Sequence, residues 1–377
     1  NGTETPIMSK PFVHLHTHSH YSLLDGMTKI PDLVKAARAA GMTALALTDH
    51  GAMYGAIEFF QECKKADIKP IVGVEAYVAA RTRHDKDPDQ DGRRYHLTLL
   101  AKNEVGYKNL MYMTSIANME GFYYKPRMDK ELFASHGEGV ICLSGCPASE
   151  FITLIKNNHD DEAKELIHFY ETCFGKGNVY IEVMKHEDVD WYIPLIPRII
   201  AIAEDLGLPL VGTWDSHYLH VDDVDAHDTL VAINTGADIN TKKLTMKGGN
   251  YSFINSDEAY EVFKDIPGAY DNTSLVANSV DLEITLGKLF FPDYKIEGEN
   301  ADEMLARIAA DGFKLRNMPV TKTARERLEY ELGIIKMKGY ASYFLVVADL
   351  LRYARENGIL TNIRGSVAGS LTTYLLG

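Results

Sequence analysis

Between residue 11 and about residue 285, short apolar and β-branched runs alternate with segments of helical periodicity. "FVHLH" comes first, followed by "IPDLVKAARAAG", in which Ile30, Leu33, Val34 and Ala37 share one helical face. Pro31 near its start and Gly41 beyond its end mark the boundaries. "TALALTDHG" reads as a strand, "YGAIEFFQECKKA" as a helix and "KPIVGVEAYV" as a strand. The alternation continues through "RYHLTLLAK", "GYKNLMYMTSIANM", "GVICLSGC", "DEAKELIHFYETCF", "NVYIEVM", "IPRIIAIAEDLG" and "LPLVGTWDSHY". Six or more such units predict parallel βαβ packing closed into an α/β barrel. A doubly wound open sheet is the alternative, but no Gly-x-Gly-x-x-Gly follows the first strand.

The composition suits a globular chain of more than one domain: 377 residues, 46% hydrophobic and 24% charged. No run approaches the roughly 18 apolar residues of a membrane span, and no signal peptide precedes the first strand, so a cytoplasmic protein with no membrane partner is expected. Residues 1–7, "NGTETPI", read as an expression remnant ahead of a natural start at Met8. The four cysteines are too sparse for a disulfide scaffold. A net charge of −14 argues against whole-surface binding of duplex DNA and suits a site that collects cations. Residues 8–286 are expected to form the barrel and 287–299, an aromatic and Pro/Gly-rich stretch, a linker. Residues 300–377 read as helical, with a Gly/Ser loop "IRGSVAGS" before a last helix.

Polar residues cluster at the strand ends. "HLHTHSHYSLLDGM" puts His14, His16, His18 and His20 at alternate positions, which share one face of a strand, with Asp25 in the loop beyond. "ALALT" runs into Asp49-His50, "PIVGV" into Glu75, "GVICLSG" into Cys146 and "LPLVGT" into Asp215-Ser216-His217, while His96 lies in "YHLTLL". Strand ends of a barrel converge on one mouth. His16, His18, Asp25, His50, Glu75, His96, Cys146, Asp215 and His217 are too many donors for one tetrahedral zinc and suit two or three ions, with Glu75 bridging. Mostly nitrogen and oxygen donors with one thiolate fit zinc, manganese or iron. Any one histidine taken singly is more often a core or edge residue; the recurrence carries the reading. His14 and His20 read as outer partners, Asp49 as a cap and Cys142 as a core residue. "DKDPDQDG" mimics a calcium loop but places Thr98 where a glutamate is required, and reads as a solvated acidic loop.

Together, "HLHTHSHYSLLDG", "LTDHGAMYGAIEFF", "KPIVGVEAYV", "YHLTLLAKNEVGYKNL", "EGFYYKPRMD", "LSGCPASE" and "TWDSHYLHVDDVDAHD" resemble the PHP (polymerase and histidinol phosphatase) domain of bacterial replicative DNA polymerase III alpha subunits. "KGYASYFLVVADLLRYARENGI" and "RGSVAGSLTTYLLG" resemble the start of that family's palm. The resemblance implies a distorted (β/α)7 barrel with a trinuclear metal cluster on the nine donors above, acting as a proofreading 3′→5′ exonuclease, with Asp25, Glu75, His50 and His217 in catalytic roles. Other members have lost several ligands and serve as platforms for a separate proofreading exonuclease. Arg127 is a candidate phosphate contact, and Arg364, Gly365 and Ser366 are candidate nucleotide contacts of the palm. Thr361-Asn362-Ile363 stand where the family has Gly-Pro-Gly. The palm's catalytic carboxylates and their Mg²⁺ are expected beyond Gly377. Implied partners are primer DNA, dNTP, the sliding clamp and the clamp loader. The rival readings are a free-standing phosphatase on a small phosphate ester and a non-catalytic structural platform.

Overall fold

A computed structural model describes residues 11–186, 188–236, 248–291, 294 and 298–377. The expected remnant at 1–7 and several linker positions lie outside the described residues. The chain divides into two units between Ile284 and Thr285.

The first unit is built on strands β1 (Ala44–Leu47), β2 (Lys69–Ala79), β3 (Arg94–Ala101), β4 (Phe122–Tyr123), β5 (Lys125–Met128), β6 (Val140–Leu143), β7 (Val179–Val183) and β8 (Leu210–Gly212). The sheet order is β4-β5-β2-β3-β6-β7-β8, with β1 also paired to β2. β1 and β7 are buried throughout, as expected of a sheet covered on both faces. Helix Ile30–Ala39 seats Ile30, Leu33, Val34 and Ala37 in the core, the face its periodicity predicts.

The sheet is mixed, not all parallel. β3 runs antiparallel to both β2 and β6, and β4–β5 is an antiparallel hairpin. The cause is the connection through residues 80–93, which contains no helix. Parallel return usually needs a crossover helix, and without one the strand comes back alongside its predecessor in the opposite direction.

"FVHLH" is extended but forms no regular ladder. Ala46 N–H donates to His14 O and Thr48 N–H to Thr17 O on one side, while His18 N–H donates to Ser216 O on the other. The Thr48 hydroxyl accepts from Thr17 N–H and donates to Thr17 O, standing in for a backbone group. This segment therefore links β1 to the stretch after β8 and draws the curled sheet round into a barrel.

The second unit packs helices Ala301–Leu315, Lys322–Lys338 and Ala341–Glu356 with a short helix Leu371–Leu375. Asn300 opens the first of these with a capping box to Glu303. Gly312 lets the short helix approach closely: a Cβ there would lie 2.1 Å from Leu375 O. The Gly/Ser loop is exposed, with Gly365 at φ 78°. A triphosphate cradled by N–H groups at the following helix start would meet a competitor. Leu371 and Thr372 N–H and the Ser370 hydroxyl donate to the carboxylate of Glu331.

Candidate metal centre

Each candidate donor is delivered by backbone geometry. His16 and His18 are two apart on the extended first segment and face one hollow, their rings 5.2 Å apart. His14 does not reach it: two residues earlier along an extended chain is roughly 6.5 Å deeper. Its Nε2 instead meets Ile254 O at 2.9 Å and its ring stacks on Phe253. Glu75 arrives on β2, and His96 near the start of β3. Because β3 is antiparallel, its start lies beside the far end of β2, where His96 is opposite Tyr77. Gly145, at φ 95°, turns the chain after β6 so that Cys146 comes within 3.6 Å of His96 Nδ1; a Cβ on Gly145 would lie 2.6 Å from His96 O. Asp215 adopts φ 55°, a left-handed turn that aspartate tolerates, and His217 follows.

The other eight candidates converge around Glu75. Its Oε1 lies 2.8 Å from His96 Nδ1, 3.4 Å from His16 Nε2 and 3.4 Å from Cys146 Sγ. Its Oε2 lies 2.6 Å from His50 Nδ1 and 3.5 Å from His18 Nε2. Asp215 Oδ1 is 3.0 Å from His18 Nε2 and 3.4 Å from His16 Nε2. Asp25 is 2.9 Å from His50 Nε2 and 3.9 Å from His217 Nε2. Three overlapping donor groups result: His18–His50–His217, His16–His18–Glu75 and His50–Glu75–His96.

The electrostatics suit cations. Burial alone would raise the Glu75 pKa, but the imidazoles of His96, His50 and His16 overcome it and hold the carboxyl well below its ordinary range. Asp25 and Asp215 are depressed in the same way, burial being outweighed by histidine neighbours. Burial and its neighbours His50 and His217 bring the His18 pKa down to about 3, so its ring is neutral at pH 7. His16 Nε2, His18 Nε2, both His50 nitrogens, Glu75 Oε2 and Asp215 Oδ1 are buried without any hydrogen bond of acceptable geometry. Such orphaned atoms are costly unless a cation takes their lone pairs, so the donor set fits bound divalent metal.

Outer partners fix the rings, and here sequence reasoning fell short. Glu182, fully buried on β7, accepts from His16 Nδ1–H at 2.9 Å, from the Thr213 hydroxyl and from Gly145 N–H. The available signal was a lone acid in the apolar run "NVYIEVM". Asp49 is not a turn cap: it accepts from Ser19 N–H and from the Ser19 and Ser22 hydroxyls. Ser22 Oγ in turn lies 3.0 Å from His18 Nδ1. Both arrangements leave Nε2 of the histidine facing the hollow. Buried His227, 3.9 Å from Asp25, was also overlooked.

Arg127 departs from expectation. It is neither at the mouth nor on the surface but fully enclosed, donating to the carbonyls of Gly121, Arg83, Asp85 and Asp91. It ties the acidic loop to β5, and Asp91 of that loop is buried against Arg81, not solvated.

Fold and donor set define a PHP-type barrel, and residues 14–186 match the family model described as the PHP domain. Residues 302–377 match the model described as the bacterial DNA polymerase III alpha NTPase domain. The DNA polymerase III subunit alpha of Borreliella burgdorferi is 41% identical over 371 residues, 97% of this chain and 32% of that protein. The Treponema pallidum subunit is 39% identical over 370 residues, again 97% and 32%. The Helicobacter pylori subunit is 35% identical over 402 residues, 98% and 33%. The chain belongs to the bacterial DNA polymerase III alpha subunit family, and it spans about a third of the length of the curated relatives it matches.

Proposed function

We propose that the barrel is a metal-dependent 3′→5′ exonuclease that removes misincorporated nucleotides, at the head of a polymerase alpha subunit acting in DNA replication. The observation that carries this is the set of buried, unpartnered donor atoms around Glu75. Two or three zinc, manganese or iron ions held there would supply Lewis-acid chemistry: activation of water and stabilisation of charge on the phosphodiester. His16, His18, Asp25, His50, Glu75, His96, Cys146, Asp215 and His217 would hold them. Asp25 is the most open of the donors, with 28% of its side chain exposed against 22% for His96 and 16% for Asp215, so the scissile phosphate would approach from its side. Burial lowers the His50 pKa, but Glu75 and Asp25 outweigh it and raise the net value. A His50 nitrogen not engaged by an ion would then pass a proton to the departing sugar oxygen, and His217 is the second candidate for that role.

In the whole protein, the proposed partners are the primer 3′ end, dNTP, Mg²⁺ at the palm, the sliding clamp, the clamp loader and a separate exonuclease subunit, in the cytoplasm. Arg364, Gly365 and Ser366 are the proposed nucleotide contacts. No described helix is long and apolar enough to cross a membrane.

Asp25→Asn and Glu75→Gln should each cut release of 3′-terminal nucleotides to below about one hundredth of the parent rate, beyond the loss typical of outer partners, while circular dichroism stays unchanged. Undiminished release in both variants would refute the assignment. Full metal occupancy with no turnover under Mn²⁺ or Zn²⁺ would instead favour a structural platform.

A further inference from the structure

With Arg127 enclosed, the phosphate-binding groups of the mouth lie elsewhere. Beside the metal donors runs a cleft lined by Asp25, His50, Tyr54, Tyr77, Phe122 and Lys125. Tyr77 is buried and stacks over His50, with ring centroids 5.9 Å apart at 18°. Two cations converge on that same ring: Lys125 Nζ lies 5.6 Å and Arg94 Cζ 5.8 Å from its centroid. Neither forms an ion pair among the described residues, although the chain carries 53 acidic side chains. Around the same opening, Tyr54 and Phe122 are 64% and 53% exposed, a cost in water that a binding surface explains. Unpaired cations interleaved with exposed aromatic rings are the elements by which proteins hold single strands: charge on the phosphates, ring faces on the bases. A duplex is a poor fit, since its bases are already stacked on one another and offer no free faces to the rings.

We propose that this cleft seats the 3′-terminal nucleotides of single-stranded DNA, Tyr54 and Phe122 stacking on bases while Lys125 and Arg94 hold the phosphates that precede the scissile one. The proposal rests on the exonuclease reading for its direction of entry, but its contacts can be measured without catalysis.

The test is fluorescence anisotropy of a 5′-labelled oligothymidylate with phosphorothioate 3′-terminal linkages, titrated with the Mn²⁺-loaded chain across a range of salt. Arg94→Gln with Lys125→Gln should raise Kd about tenfold at low salt and flatten the slope of log K against log salt by about 1.4, two phosphates at roughly 0.7 each. Tyr54→Ala with Phe122→Ala should raise Kd on the order of tenfold with the slope kept. Equal metal content marks the variants as folded, and Lys125→Gln or Phe122→Ala alone is read where a pair loses it. Kd and slope within twofold of the parent in both pairs would overturn the proposal. Hydrolysis of the unmodified strand by the parent chain is scored separately. Cleavage with indifferent variants removes only the cleft assignment, whereas sensitive binding without cleavage removes only the exonuclease reading.

Discussion

Glu75 is the residue on which the centre turns, because each of its oxygens faces imidazoles from different parts of the chain. It can occupy that place only because His16 and His18 are held with Nε2 inward, and Glu182 is what holds His16. Glu182→Gln is therefore expected to weaken metal affinity by about ten- to a hundredfold while leaving the nine donors intact. Competition against a chromophoric chelator measures it, and unchanged affinity would make Glu182 a mere core acid. The donors themselves were legible because they recur at strand ends, a pattern visible without any structure. Glu182 and Arg127 were not. A buried carboxylate inside an apolar strand looks like a solitary exception, and an arginine in a polar loop gives no sign that four carbonyls enclose it.

At the level of elements, periodicity located the helices, but strand direction depends on what connects the strands. The helix-free stretch 80–93 reversed β3, and that reversal is what brings His96 to the mouth from the beginning of its strand. The irregular pairing at Thr17 and Thr48 was equally hidden, since it substitutes a hydroxyl for a backbone group. In the second unit, Glu331 ties helix Lys322–Lys338 to the start of Leu371–Leu375. Burial opposes its ionisation, but Thr372 N–H, Arg327, Ser370 and Leu371 N–H win, and its pKa falls to about 2. A depressed carboxyl stabilises the fold fully above its ordinary value near 4.5 and loses that contribution as pH falls through about 2. Glu331→Gln should cost about 2 kcal/mol near neutrality, after allowance for solvent screening. The penalty should shrink steadily as pH falls below that ordinary value, as read from denaturant midpoints. An equal penalty at low and neutral pH would refute the tie.

For the molecule as a whole, the centre joins segments some two hundred residues apart in sequence, His16 and His18 at one end and Asp215 and His217 at the other. Ions held there would bind the folded barrel alone, so free metal at about a hundredfold over Kd should stabilise it by about 2.7 kcal/mol. Chelation should then lower the Tm of the first unit by about 5–10 °C, and reloading should restore it. Burial lowers the His16 pKa, but Asp215, Glu75 and Glu182 raise its net value. Metal must therefore displace protons, and the thermal gain should fade as pH drops. A Tm indifferent to chelator at every pH would contradict this. The central claim, that nine donors close on one cation-filled hollow, is tested most directly by anomalous scattering at the zinc and manganese edges in crystals soaked with each ion. The account predicts two or three peaks around Glu75, each within coordinating reach of the donors named. Density only at the outer surface, or none around Glu75 at saturating ion, would contradict it.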